Sequence, residues 1–268
     1  MHSINANRLS YGDLSLYYET IGTGPAIVFL HGLGGNHLSW WNQVPYFMHW
    51  FTCVTLDQRG FGLSPDTVGS FNSSHADDLA RLLDHLKIER AMLVGQSMGG
   101  WTVVGCALNH PDRVAALVMA GTYGGIELPN LPDLRRSAAP PVNFSVNPPI
   151  GVMPTYAKDY FVRRPELAFL YDDLRILGAR PPEDAIARIG RLRHSLALVQ
   201  QKLTMPALCI IGEEDALMPL PLIRELAQSL PDCRLITIPH CGHSTYFECP
   251  DVFNQAVLQF ARSIGFGG

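Results

Sequence analysis

The chain has 268 residues, a formal net charge of −4 and 47% hydrophobic residues. A chain of this length is able to bury a sizeable core, and this composition excludes a disordered, coiled-coil or low-complexity protein. Because acidic residues slightly outnumber basic ones, no global positive field exists, and we expect neither nucleic acid nor an anionic membrane as a partner.

The N-terminal segment, Met1 to Tyr11, has no basic start followed by an apolar run, and no apolar stretch approaches about 18 residues. We therefore expect no secretory signal, no membrane span, and a soluble, cytoplasmic protein. Six cysteines are scattered without a C-x-x-C spacing. They are expected to be reduced, buried thiols that pack as small hydrophobic side chains.

Short runs rich in Val, Ile and Leu alternate with segments of helical length, which is the pattern of an α/β protein whose strands are covered on both faces. Strands are predicted at Leu14–Thr20, Ala26–Leu30, Thr52–Leu56, Ala91–Gly95, Val114–Ala120, Ala207–Ile211 and Arg234–Ile238. Helices are predicted at Trp40–His49, Ser74–Leu86, Gly99–Asn109, Pro221–Ser229 and Pro250–Ile264.

Residues 122–204 break this alternation, since they hold half of the 20 prolines and no strand of the same kind. Helices are predicted there at Thr155–Arg163, Glu166–Leu177 and Pro182–Gln200. The remaining stretch, Leu128–Pro154, is predicted to be a long irregular loop, which is uncommon unless functional. We expect residues 1–121 and 205–268 to form a core domain, and residues 122–204 to form a lid over one end of its sheet.

The pentapeptide Gly95-Gln96-Ser97-Met98-Gly99 follows a predicted strand and opens a predicted helix. A G-x-S-x-G sequence in this setting indicates a sharp turn that lifts the serine hydroxyl above the sheet edge, at a helix N-terminus that favours a developing anion. The glycines are needed because such a turn leaves no room for Cβ atoms. Ser97 is therefore the predicted nucleophile.

A serine needs a base, and the base needs a group that fixes its tautomer. His243 follows the last predicted strand and Asp215 follows the strand before it. Because the carboxyl ends of parallel strands meet at one edge of a sheet, these loops are expected to meet. We predict that Asp215 orients His243 and that His243 deprotonates Ser97, with Glu213 and Glu214 as alternative acids.

Acyl transfer also needs N–H donors aimed at the oxyanion of its tetrahedral intermediate. Met98 follows the nucleophile, and Leu33 lies in the glycine-rich loop after the strand Ala26–Leu30. Their backbone N–H groups are the predicted oxyanion hole. Apolar residues on loops near the strand ends, or in the lid, form the predicted substrate pocket: Trp40, Tyr123, Met153, Tyr156, Leu217 and Phe247.

Together these motifs resemble the α/β-hydrolase fold superfamily. In family order the chain has His31-Gly32, the segment DQRGFGLS from Asp57 to Ser64, the turn at Ser97, Gly212-x-x-Asp215 and Gly242-His243. The resemblance spans nearly the whole chain and implies a mostly parallel eight-stranded sheet flanked by helices, with a helical cap inserted after the sixth strand. It also implies the triad and the oxyanion donors named above. Within the superfamily, the chain is similar to small cofactor-free esterases, lactonases and C–C hydrolases.

Three other patterns are weaker. Gly95 to Gly100 has the spacing of a phosphate-binding loop, but Trp101 stands where a lysine is needed, and residues 31–37 imitate a dinucleotide-binding pattern with His37 in place of its last glycine. The cluster of His240, Cys241, His243 and Cys249 contains zinc-type ligands at a spacing unusual for zinc. We therefore expect no metal and no cofactor, and we interpret His240 as structural and Asp57 as tying a turn through Arg59.

The sequence thus predicts a serine hydrolase that cleaves a small to medium, mostly apolar carboxylic ester or lactone through an acyl-Ser97 intermediate. The alternatives are hydrolysis of a C–C bond beside a ketone by the same triad, perhydrolase chemistry, and a ligand-sensing receptor with slow turnover. Nine of the seventeen arginines lie in residues 122–204, where a solvated face is favoured over recognition of an anion. A small-molecule ester or lactone is the expected partner, and the sequence is compatible with a monomer and with a homodimer.

Overall fold

Strands alternate with helices along most of the chain in the computed structural model, which describes residues 3–12, 14–67, 69–71, 75–129, 154–177 and 181–267. The predicted pocket residue Met153 lies outside the described residues. So does the predicted loop Leu128–Pro154, apart from its ends.

The strands are β1 (Asn5–Tyr11), β2 (Leu14–Ile21), β3 (Ala26–Leu30), β4 (Thr52–Leu56), β5 (Ala91–Gln96), β6 (Val114–Ala120), β7 (Ile126–Glu127), β8 (His194–Ser195), β9 (Ala207–Gly212) and β10 (Cys233–Ile238). Eight of them form a sheet in the order β1-β2-β4-β3-β5-β6-β9-β10. The β1–β2 and β2–β4 pairs are antiparallel, and the remaining pairs are parallel. The predicted mostly parallel, eight-stranded sheet is confirmed. β7 and β8 pair separately, and the sequence analysis does not predict them.

The helices are α1 (Gln43–Phe47), α2 (His75–His85), α3 (Gly99–Asn109), α4 (Tyr160–Arg163), α5 (Pro165–Leu174), α6 (Ala185–Arg191), α7 (Leu196–Lys202), α8 (Leu220–Ser229), α9 (Thr245–Glu248) and α10 (Pro250–Ser263). Short 3-10 helices occupy His37–Trp40 and Pro111–Arg113. The predicted helix Pro182–Gln200 is wrong as one element, because the chain is extended at Leu192 and Ser195 caps a new helix. The predicted helix Trp40–His49 is likewise divided, since Asn36 caps a 3-10 turn ahead of α1.

The sheet separates two apolar cores. Val28 and Leu30 face the core that contains α2, α3 and α8, whereas Ile27 and Phe29 face the core that contains α1 and α10. Because both faces of β3 are covered, all five of its residues are buried. This explains why its apolar run is continuous and its bounds are predicted correctly.

β1 is an edge strand that the sequence does not predict. Leu9 is its one buried residue, and polar side chains occupy most of the other positions. An antiparallel edge strand that faces water lacks the apolar run on which the strand predictions rest.

Residues 122–204, called the insertion below, contact both sides of the sheet where the structure describes them. Ile126 and Val199 belong to the first core, and Tyr156 and Tyr160 belong to the second. The Asn36 side chain, in the loop after β3, donates a hydrogen bond of 2.8 Å to the carbonyl of Leu174 at the end of α5. Thus α5 is held above the carboxyl end of β3. In the described part of the chain, no helix has the length and apolar character that a membrane crossing requires.

Candidate active site

Ser97 occupies the turn between β5 and α3. Its φ is +49°, a left-handed conformation that side chains other than glycine rarely adopt. The Ser97 N–H donates to the Ala120 carbonyl of β6 at 2.9 Å. A Cβ atom on Gly95 would lie 2.6 Å from the Gly99 carbonyl oxygen, so this approach of strand to helix requires glycine. The strand, the strained turn and the helix therefore present a partly exposed serine at the sheet edge.

His243 and Asp215 meet in the loops after β10 and β9. The Nδ1 atom of His243 lies 2.8 Å from Oδ2 of Asp215, and the two side chains are 2% and 1% exposed. Oδ1 of Asp215 accepts the N–H groups of Leu217 and Met218 at 2.8 Å each. This carboxylate is therefore held in place, and it can accept the Nδ1 proton of the imidazole.

The two other acids considered from sequence point elsewhere. Glu213 and Glu214 are exposed, and a carboxylate oxygen of Glu214 lies 3.6 Å from Nδ1 of His240. The His240 side chain is 86% exposed. Among these three neighbouring acids, Asp215 is the one that contacts His243.

The carboxyl end of β6 is the point where the serine and histidine loops come together. Ser97 bonds to Ala120, and the next residue, Gly121, has a φ of +54°. A Cβ atom on Gly121 would lie only 3.0 Å from Nδ1 of His243. Among the described residues, Nε2 of His243 is buried and has no hydrogen-bond partner, so the Ser97 hydroxyl does not bond to it in this structure. Such nucleophile–base bonds are often long until substrate binds.

The loop after β3 packs directly against Ser97. A Cβ atom on Gly32 would lie 3.1 Å from Cβ of Ser97. Within the described residues, the N–H groups of Leu33 and Met98 donate no hydrogen bond to the protein. Two unused donors beside a serine are the arrangement that an oxyanion requires.

His31 fixes the shape of this loop, a role that the sequence analysis missed. Its Nδ1 lies 2.8 Å from the Gly32 carbonyl and its Nε2 lies 3.0 Å from the N–H of Gln58. Complete burial lowers the pKa of His31, which favours the neutral ring. A neutral ring with Nδ1–H donating to Gly32 and Nε2 accepting from Gln58 satisfies both bonds.

The segment DQRGFGLS has a structural role that differs from the predicted one. Asp57 accepts hydrogen bonds from the N–H of His37 at 2.6 Å and of Leu63 at 2.6 Å, whereas Arg59 pairs with Asp78 at 2.6 and 2.9 Å. Burial raises the pKa of Asp57, but the bonds and charge of His37 outweigh it and hold the pKa below its ordinary value. Asp57 therefore ties the turn directly, and Arg59 binds α2.

A pocket lies next to Ser97, against Gln96 and Gly32, and the side chains of Ser97, Asp215 and His243 are not part of its lining. It is lined by Gly32, Leu33, Gly35, Ser39, Gln96, Tyr171, Leu174, Arg175, Tyr246 and Phe247. Phe247 and Leu33 are residues that the sequence analysis proposed for the site. Five of the ten lining residues have polar side chains, which differs from the mostly apolar lining expected.

The other predicted pocket residues that the structure describes do not line this pocket. Trp40 is fully buried among Phe29, Tyr246 and Phe253, and Tyr123 is buried against Trp101 with their ring centroids 4.8 Å apart. The Tyr156 hydroxyl donates to Asp172 at 3.3 Å, behind the pocket. Leu217 lies in the turn that Asp215 caps. Large apolar residues near strand ends do not distinguish a pocket from the hydrophobic core, because aromatic side chains occur in both.

Arg175 is the pocket residue that sequence reasoning did not single out. Its side chain is 11% exposed, and its Nη1 atom lies 3.7 Å from Oδ1 of Asp172. In the sequence it is one of nine arginines in the insertion, and nothing in that pattern separates it from the solvated ones. By contrast, Arg188 pairs with Asp184 on the surface.

In the described residues, no group of three or more His, Cys, Asp or Glu side chains is arranged to hold a metal ion. Of the suspected zinc cluster, His243 faces Asp215 and His240 faces solvent. The geometry of the site is thus that of a serine, a buried histidine–aspartate pair and two backbone donors.

Comparison with known proteins relates the chain to hydrolases. The chain is 31% identical over 276 residues to a 2-hydroxy-6-oxononadienedioate/2-hydroxy-6-oxononatrienedioate hydrolase of Burkholderia vietnamiensis, covering 93% of this chain and 92% of the relative. A thermophilic esterase from Thermogutta terrifontis superposes with a TM-score of 0.80 at 26% identity, covering 97% and 99% of the two chains. The enol-lactonase from Burkholderia xenovorans superposes with a TM-score of 0.79 at 25% identity, covering 96% and 100%. With residues 27–256 matching its sequence pattern, the chain belongs to the alpha/beta hydrolase family.

Proposed function

We propose that the protein hydrolyses a small to medium carboxylic ester or lactone through an acyl-Ser97 intermediate. Nε2 of His243 takes the hydroxyl proton of Ser97 as Oγ attacks the carbonyl carbon, and the N–H groups of Leu33 and Met98 hold the oxyanion. Collapse of this intermediate breaks the ester C–O bond, and His243 gives its proton to the leaving oxygen. Water then attacks the acyl group with His243 again as base, which releases the acid and restores Ser97.

The observation that carries this proposal is the state of His243. Its Nδ1 is held by a fixed carboxylate at 2.8 Å, while its buried Nε2 has no partner among the described residues. An unpaired buried acceptor costs free energy, so a fold tolerates it where a partner is to arrive. A serine hydroxyl and substrate supply that partner.

The test is turnover of p-nitrophenyl butyrate and of a simple lactone by wild type and by Ser97→Ala. We expect multiple turnover that falls by roughly 10⁴-fold or more in the variant, together with labelling of Ser97 in wild type by a fluorophosphonate. Negligible turnover with a ligand-dependent rise in melting temperature would instead support the ligand-sensing receptor.

Arg175 favours a second candidate, hydrolysis of a C–C bond beside a ketone in a substrate that carries a carboxylate. The substrate named for the Burkholderia vietnamiensis relative is an oxo-dioate without an ester, so its hydrolysis breaks a C–C bond. A mostly buried guanidinium in the pocket beside Ser97 is suited to bind a carboxylate in two-point geometry. The same His243 and oxyanion donors would serve this reaction.

Arg175→Gln separates the two candidates. If a carboxylate binds there, the variant raises KM for an oxo-dienedioate by about 10- to 100-fold and changes p-nitrophenyl butyrate hydrolysis much less. Arg188→Gln, which removes an exposed arginine of the same insertion, is the matched control and should change neither substrate. Equal effects of Arg175→Gln on both substrates would argue against the carboxylate site.

A further inference from the structure

Glu248 is a partly buried glutamate whose carboxyl group the proposed chemistry does not use. It ends α9, five residues after His243. Its Oε2 atom accepts hydrogen bonds from the N–H of Gly242 at 3.0 Å and from the N–H of Ala157 at 2.9 Å. One of these donors precedes His243 in the chain, and the other belongs to the insertion. A single carboxylate oxygen therefore connects the loop that carries His243 to the insertion.

The backbone around these bonds is tightly packed. Gly242 leaves no room for a Cβ atom against the backbone of Tyr156 and Ala157. Oε1 of Glu248 is buried and has no hydrogen-bond partner among the described residues. The carboxyl group is thus placed for the two backbone donors rather than for full satisfaction of its own acceptors.

We infer that Glu248 is a positioning residue whose ionised carboxylate fixes the backbone of the loop that carries His243 and couples that loop to the insertion. The inference rests on the proposed function, since it concerns the base of that reaction. An ionised carboxylate is a stronger acceptor of N–H groups than a protonated one. Protonation of Glu248 therefore loosens both bonds and lets the imidazole leave its position toward Ser97.

The surroundings of Glu248 move the ionisation of its carboxyl group toward neutral pH. Burial raises the pKa of Glu248 to about 7, an effect that the N–H groups of Ala157 and Gly242 oppose and the charge of Asp215 reinforces. The titratable and charged groups that face it are Asp215, Tyr160, Arg163, Cys241, Tyr246 and Cys249. Arg163 is the cation among them, and it pairs with Asp159 at 2.8 Å.

The experiment measures the rate at which a fluorophosphonate labels Ser97 between pH 5 and 9. This readout needs His243 as base but no knowledge of the substrate. In wild type, we expect the acid limb to be steeper than a single ionisation, because both His243 and Glu248 must lose a proton. Glu248→Gln should label about tenfold more slowly at pH 8 and show an acid limb with one ionisation.

Glu183→Gln is the matched control, since it makes the same change at an exposed glutamate of the insertion, and it should match wild type. The inference is overturned if wild type shows one ionisation, if Glu248→Gln keeps the wild-type rate, or if it is slowed equally at every pH. If Glu248→Gln does not fold, Glu248→Asp keeps the charge on a shorter side chain and should be slower with a steep acid limb; a wild-type rate there overturns the inference. Absence of any labelling of wild type would refute the proposed function itself.

Discussion

The sheet and the insertion contribute different residues to the candidate site. Ser97, Asp215 and His243 all stand on loops at the carboxyl ends of sheet strands, whereas α5 of the insertion and the residue after it supply Tyr171 and Arg175 to the pocket. Ser97 and Asp215 follow β5 and β9, whose residues are all buried, and His243 follows β10, which is only partly buried. The residues that line the pocket come partly from the insertion, so we expect the reaction rate and the substrate selectivity to respond to different mutations.

The physical basis is burial. All the residues of β3, β5, β6 and β9 are buried, while the insertion exposes large apolar side chains such as Val162, which is 81% exposed. A densely packed strand holds the loop at its end in one position. Short, half-exposed helices have fewer such constraints.

The largest expected effect is the loss of kcat in Asp215→Asn, a substitution in the loop after the sheet strand β9. An asparagine keeps the shape but disfavours the imidazole tautomer that accepts from Ser97, so kcat should fall by about 10⁴-fold. Steady-state hydrolysis of the best ester substrate measures it. Glu214→Gln, one residue earlier and exposed, should leave kcat within about twofold. Equal losses in both variants would remove Asp215 from its assigned role.

A smaller effect is expected from Gly121→Ala. The residue has a φ of +54°, and the new Cβ would lie 3.0 Å from the His243 ring. The imidazole must shift, and we expect kcat to drop by about 10²-fold while the fold persists.

The insertion provides the contrast, because a Cβ on Gly190 in α6 meets no atom within 4 Å. Gly190→Ala should stabilise the protein by roughly 0.5–1 kcal/mol, as urea denaturation would show.

Two ion pairs, one buried beside the sheet and one exposed on the insertion, should contribute differently to the free energy of unfolding. Arg59 and Asp78 form a buried two-point pair, so Asp78→Ala leaves a buried guanidinium unpaired and should cost about 3–5 kcal/mol. The exposed pair of Arg188 and Asp184 has similar distances. Asp184→Ala should change the free energy of unfolding much less than Asp78→Ala does, because water screens an exposed pair. Chemical denaturation of both variants tests this, and comparable losses would contradict the assignment of rigidity to the sheet side.

The last prediction concerns pH. Burial lowers the pKa of His75 to about 4, so between its ordinary value of 6.5 and that value the unfolded chain binds more protons than the folded one. Stability from this group is complete above pH 6.5 and is lost as the pH falls toward 4, by up to roughly 3 kcal/mol. His75→Gln should flatten that decline in denaturation curves taken from about pH 7 to 4. His240→Gln, which removes an exposed histidine, should retain the wild-type decline.

The sequence is informative where burial leaves a continuous apolar run. The bounds of β3, β4, β6 and α3 follow from such runs and from the glycines and prolines beside them. Motif order along the chain then locates the loops of Ser97, Asp215 and His243. Their spatial meeting is a consequence of parallel strands, and sequence reasoning reaches it through that general rule.

The rest depends on three-dimensional contacts that leave no sequence pattern. The exposed β1 has no apolar run, and β7 and β8 have two residues each, which is too short for any periodicity. The pocket forms between α5 and loops that are distant in sequence, so the sequence does not separate Arg175 from the other arginines of the insertion. Glu248 escapes notice because its role depends on two backbone N–H groups, which no side-chain pattern reveals.

One peptide unit at the end of β6 touches both reacting partners, through the Ala120 carbonyl and Gly121. We therefore expect thermal displacement of that strand end to carry the serine and the imidazole in the same direction and to leave the gap between them nearly unchanged. Warming should erode discrimination among substrates before it erodes the intrinsic speed of bond cleavage.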